Sequence, residues 1–453
     1  MVEKVCTIGR SSPLNVVVSF FFGCQMITLL ERSLILFLVL TVTSPALVAQ
    51  EHWPRFHGNN GTGVSANSKL PSSWTNGDYA WQVDLPGIGS GSPVVWGDKI
   101  FLNSSDSKTA ELTVLCLSAD SGQEQWRKKF DSSKHYLHSK NTFASATMAA
   151  DAERVYLTFA NEQHTWLIAL SHQGVEKWKR DFGPYFSSHG FGSSPMVYQD
   201  KVIVVNSQQA MRLKPGQKPG VSKVVAVNAS DGKDVWQTPL ETTRVCYGVP
   251  CIYRSAGNGA GTDQLIGANT GNGFYGIDLD TGKMNWQTGD TFSKRVVASP
   301  VLAGDLVMTT AGSGGGGNYL VAMRLSTDTT TPPVEAYRIQ SASYVPSPVV
   351  VGDLLFMFSD KGIVSCYDVE TGKLHWKKRV SKGFNGSPVA TKDNVYAIDE
   401  AGNIHVVAAQ REPKLEIVAS MEEAARSTPA IVRNRIYFRS NSRLWALGPV
   451  DQN

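Results

Sequence analysis

Three arginines, Arg244, Arg295 and Arg426, fall at similar points of a recurring pattern, with Tyr247, Tyr344 and Asn385 at related ones. Brought to one place, such a set would suit an anionic or sugar-like group, or an acidic segment of another protein. Guanidinium groups hold oxyanions by paired, charge-assisted hydrogen bonds. The competing reading gives the arginines carboxylate partners in neighbouring elements and a structural task only. Other candidate chemistry is incomplete. His135 and His138 in KHYLHSK, and His52 and His57 near residue 50, could each touch a metal, but no third ligand lies nearby. They read as solvent-exposed loop histidines, and no metal site is expected. The run GSGGGGN at 312–318 lacks the lysine and the strand-to-helix setting of a phosphate loop, so it reads as a flexible loop. No hydrolase, kinase or protease signature is present, and no catalytic residue is assigned.

Of six cysteines, Cys6 and Cys24 lie in a leader, and Cys116 and Cys366 hold equivalent repeat positions that suggest buried thiols. Cys246 and Cys251 are close enough in sequence to close a small disulfide in an oxidising compartment. With no C-x-x-C pair, a structural zinc is not expected. The net charge of +4 over 453 residues, without a long basic run, argues against a nucleic-acid partner.

Residues 1–49 read as a targeting region. Of two apolar blocks, Leu14 to Phe22 and Leu34 to Val42, the second fits a secretory signal. Met26 would be the true start, Arg32 the positive residue, and Ser44 with Ala46 or Ala49 the small residues at the cut. The rivals are a lipoprotein signal ending at Cys24 and a single membrane anchor. Either would tie the chain to a membrane; otherwise it is periplasmic or secreted. Residues 50–77 form an N-terminal extension.

Two signatures repeat through the rest. The first is Ser-Pro, a short apolar run and an acidic turn, at Ser92-Pro93, Ser194-Pro195, Ser299-Pro300, Ser347-Pro348, Ser387-Pro388 and Thr428-Pro429. Weaker copies sit at Ala146-Thr147 and Val249-Pro250. The second is a glycine four residues before a tryptophan: Gly122/Trp126, Gly174/Trp178, Gly232/Trp236, Gly282/Trp286 and Gly372/Trp376. The glycine supplies the positive φ of a tight hairpin, and the tryptophan opens an outer strand, where its ring can fill the gap between blades. Eight copies at this spacing predict an all-β, eight-bladed propeller of four-stranded antiparallel blades over 78–449. The small residues suit strands crowding the axis. The last copy lacks its outer strand, and YAWQVDL around Trp81 lacks a blade, so the two pair to close the ring. The long segments 129–143, 180–192, 206–222 and 312–318 then open on one face, with 254–263 the exception on the other. Residues just before each inner strand ring the pore mouth there: Arg244, Tyr247, Arg295, Tyr344, Phe384, Asn385 and Arg426.

DTGKMNW and ETGKLHW resemble the tryptophan-docking repeat of the PQQ-like β-propeller family, over residues 78–447. WPRFHGNNGTGVS is similar to the opening of secreted members. In length and lean blades the chain is similar to the BamB scaffolds. That resemblance implies a monomeric scaffold, and the long loops gathered on one face point to a protein partner there; a small-ligand or carbohydrate binder at the pore mouth is the alternative. Quinoprotein dehydrogenases of the family would imply PQQ with calcium, but their vicinal cysteines and inserted loops are missing here, so no cofactor is expected.

Overall fold

Alternation of apolar residues with tight turns gives eight separate antiparallel sheets, arranged as the blades of a propeller. The computed structural model describes residues 52–213, 215–255 and 263–448. The targeting region, and most of 254–263, lie outside these. The inner strands are short: Val94–Trp96, Ala149–Ala150, Met196–Tyr198, Cys251–Tyr253, Val301–Ala303, Val349–Val351, Val389–Ala390 and Ala430–Val432. Short inner strands are what packing eight backbones around one axis allows.

The proline motif has a task beyond small size. The amide at the serine position of the motif donates to the hydroxyl of its counterpart in the next blade: Ser92 to Thr147, Thr147 to Ser194, Val249 to Ser299, Ser299 to Ser347, Ser347 to Ser387, Ser387 to Thr428, and Thr428 back to Ser92. In the second blade Thr147, followed by Met148, takes the serine position, one residue later than the expected Ala146-Thr147 copy. The distances are 2.9 Å, except 3.2 Å at the last. This belt joins blade to blade around the axis. At the remaining junction, after Ser194, the hydroxyl is replaced by the buried side chain of Val249.

At the outside, each tryptophan bridges forward to the next blade. The indole N–H of Trp126 donates to His172 O at 2.8 Å, Trp178 to Ala229 O at 2.9 Å, and Trp236 to Leu279 O at 3.0 Å. A register shift just before each of these tryptophans turns the ring inward. The ring lies over the turn glycine of the following blade. A Cβ on Gly232, whose φ is +71°, would stand 2.7 Å from Trp178. Trp286 instead bonds Gln264 of its own blade, and Trp376 reaches Gln410 O at 3.4 Å. The fifth blade has Tyr337 in the tryptophan position, bonded to Val369 O at 2.6 Å.

The ring closes as expected. Tyr79–Asp84 pairs antiparallel with Arg443–Leu447, and Trp81 donates to Ala119 O of the first blade at 3.2 Å. Arg439, wholly buried at this seam, donates to Gly91 O and Asn103 O at 2.5 and 2.6 Å.

Residues 52–69 depart from expectation. His52–Trp53 adds a fifth, innermost strand to the first blade, and the chain then crosses the axis on the A–B turn side. Pro54 O accepts from Ala150, Arg55 reaches Pro250 O at 2.8 Å, Asn60 exchanges bonds with Ile252, and Ser65 bonds Ala390. His57, expected on a solvent-exposed loop, is fully buried, its ring nitrogens 3.0 Å from Gly61 O and 2.8 Å from Pro388 O. Burial outweighs these carbonyls and pushes its pKa down to about 4. The segment thus plugs the far end of the axis with Trp53, Arg55, Phe56 and His57.

Cys116 and Cys366 are buried opposite Trp126 and Trp376, as their repeat positions suggested, and burial raises both thiols to about 12. The disulfide considered for Cys246 and Cys251 is not formed. Cys246 turns to Arg244 O, while Cys251 starts an inner strand against Ile266; both are free and buried.

Candidate functional site

Chain entering each inner strand must pass the rim of the axis, so its last residues before the Ser-Pro step face the central space. A cavity of about 770 Å³ fills that space, open towards the long loops. The serine and threonine belt forms its wall, and Phe56 of the plug reaches its lining from the closed side. Arg244, Tyr247, Arg295, Tyr344, Asn385 and Arg426 all line it. Phe384 does not. It is fully buried between Phe358 and His405, because alternate residues point to opposite sides and the apolar one takes the core.

The four long segments do share one face: His138, His189, Gln209 and Ser313, one from each, all border the cavity. Tyr247 ties one of them down, its hydroxyl donating to Gly190 O at 2.9 Å and lying 3.0 Å from Ser187 Oγ. Burial pushes the Tyr247 phenol up to about 12, so it stays protonated as that donor.

Six basic side chains border the cavity, Lys140, Arg212, Arg244, Arg295, Lys361 and Arg426, against two carboxylates, Asp360 and Glu400. Both carboxylates are engaged: Asp360 accepts the Tyr344 amide at 2.8 Å, and Glu400 pairs with Lys140. Among the described residues, none of the ion pairs involves Arg244, Arg295 or Arg426. The neighbouring-blade carboxylates that a purely structural rim requires are therefore not supplied. Arg295 is 8% exposed; its Nη1 lies 3.0 Å from His189 Nε2 and 3.3 Å from Tyr344 Oη. Burial, then the charge of Arg295, depresses His189 to about 4, leaving it neutral and able to accept from the guanidinium. The result is a basic, partly desolvated pocket, where an oxyanion would be attracted strongly.

Sequence reasoning missed His189, Asp360, Lys361 and Glu400. Asp360 and Glu400 were within reach of it, because each sits two residues before the glycine of a B–C hairpin, Gly362 or Gly402, on the mouth side.

A quinone-and-calcium centre would need several oxygen donors converging on one cation. The two engaged carboxylates do not fit it, and among the described residues no three His, Cys, Asp or Glu side chains gather as metal ligands.

A family model described as outer membrane protein assembly factor BamB matches residues 73–247, 113–378 and 335–447. BamB of Burkholderia pseudomallei is 26% identical over 343 residues, covering 72% of this chain and 76% of that protein. The crystal structure of BamB from Moraxella catarrhalis superposes with a TM-score of 0.56 at 16% identity, covering 83% of this chain and 98% of the other. Quinohemoprotein alcohol dehydrogenase from Comamonas testosteroni gives 0.50 at 11% identity, covering 89% and 81%. At such identities the two structures speak for the fold alone.

Proposed function

We propose, since this chain belongs to the family of the outer membrane protein assembly factor BamB, that it is an exported protein-interaction scaffold that receives its partner on the long-loop face. The observation that carries this reading is the basic cavity on that face, whose three rim arginines lack carboxylate partners. Long loops on a rigid ring are where binding surfaces usually form. Export is supported by the Met26–Ala49 pattern, with a mature N-terminus between Leu47 and Glu51. The reading assigns neither catalysis nor a cofactor.

The test is capture from envelope extract with the wild type and with the combined Arg244→Ala, Arg295→Ala and Arg426→Ala variant. Lost capture with a nearly intact melting curve supports a functional rim. Capture that persists, or a collapse in stability, removes the rim from the reading. A low-mass anionic or sugar ligand is the second reading. It is favoured by the cavity size, which lies within the roughly 300–1,000 Å³ typical of small-molecule sites.

A further inference from the structure

Other buried arginines in this protein are held by backbone carbonyl oxygens. Arg55 is held by Pro250 O and Arg439 by Gly91 O and Asn103 O, while Arg435 bonds Ala119 O and pairs with Asp120 at 3.0 Å. Arg295 is almost as deeply placed and lines the cavity, yet the partners of its guanidinium are an imidazole and a phenol, both at Nη1; its Nε has no partner, as is also true of Arg439. A desolvated guanidinium that has neither a counter-charge nor a carbonyl acceptor, and that opens on a cavity, is a receptor for an anion brought from outside. Arg426 repeats the feature at the rim: it is half-buried, and its Nε is likewise without a partner.

We propose that the throat of this cavity is a carboxylate receptor anchored by Arg295, and that its occupant is an acidic segment of the partner protein. This rests on the scaffold reading above and adds the chemistry of what docks. A guanidinium offers a planar fork that matches the two oxygens of a carboxylate. The Tyr344 hydroxyl, which accepts from Arg295, keeps its own proton as one further donor. A phosphate, with three strong acceptor oxygens, would ask for more donors than this corner holds. Arg244 and Arg426 then meet further carboxylates along the segment, and the excess of positive charge at the mouth draws the segment in.

The test uses the full mature chain and an N-terminally labelled hexaglutamate peptide, with hexaglutamine as its neutral match, followed by fluorescence anisotropy. Hexaglutamate is expected to bind, more weakly as salt rises, and hexaglutamine not to bind. Arg295→Lys keeps the charge but loses the fork, and should weaken binding about tenfold, the equivalent of one bidentate contact. If that variant does not fold, Arg244→Ala and Arg426→Ala, at half-buried positions, should each weaken binding several-fold with an unchanged melting curve. Equal binding of both peptides, or no effect of any of the three substitutions, overturns the proposal. So does displacement by inorganic phosphate at lower concentration than by glutarate. If Arg295→Lys loses hexaglutamate yet still captures protein from envelope extract, the proposed occupant is wrong and the scaffold stands. If the wild type binds hexaglutamate but captures nothing, the scaffold reading falls and the receptor remains.

Discussion

At the scale of single residues, the hydroxyl belt explains why serine or threonine, rather than any small residue, precedes the proline. It also exposes a defect that can be repaired. Val249→Thr keeps the shape of the side chain and places a hydroxyl where the Ser194 amide lacks one. The variant should be more stable by about 0.5–1.5 kcal/mol, the usual net value of one hydrogen bond, read by denaturant titration. His57 predicts a pH effect with a definite sign. Its pKa is 6.5 when exposed and about 4 in the folded chain, so between those values the unfolded state binds the extra proton. Stability should therefore be fully present above pH 6.5 and fall as the pH drops towards 4, by up to about 1.4 kcal/mol per pH unit. His57→Asn should be less stable at pH 7 and show a flatter decline; an unchanged slope would assign the effect to other groups. Spacing revealed the small residues but not their hydroxyl pairing, which depends on how two blades face each other across the axis.

At the scale of elements, the turn glycines serve two demands, and only the first was legible. Gly232 needs its positive φ, and it also lies beneath the Trp178 ring. Gly304, with φ +60°, has open space where its Cβ would go. Gly304→Ala should cost only the backbone penalty, about 1–2 kcal/mol. Gly232→Ala should cost about 1–3 kcal/mol more, as overpacking against a fixed ring does. Equal losses in thermal or chemical melts would mean that the ring moves aside freely. The blades, their number and the closing strand could be read from self-comparison, because each is one copy of a repeat. The plug could not, since residues 52–69 occur once and have nothing in the chain to align with. A fully buried histidine there looked like any loop histidine.

At the scale of the whole molecule, ring closure and plug share one segment of chain. Deleting residues 51–86 removes Trp53 and Trp81 and exposes the edge of Arg443–Leu447. Loss of one buried tryptophan alone costs about 3–5 kcal/mol, and opening the ring adds to it. The truncated protein should melt far lower and self-associate through the free edge, as light scattering would register; an unchanged, monomeric melt would overturn the closure scheme. Of the mouth, the six rim residues were legible from register, because chain entering an inner strand must pass the axis. The repeated hairpin position of Asp360 was legible too, whereas His189, which restrains Arg295, sits on a loop whose path no periodicity dictates. The plug, finally, makes the axis, as the described residues form it, a blind alley that opens on the long-loop face. A polypeptide cannot be threaded through it and held as a bead on a string; it can present only a chain end or the tip of a hairpin, and must back out the way it came. Occupants of the kind proposed would therefore queue rather than pass, and whichever lodged first would bar the entrance to the next.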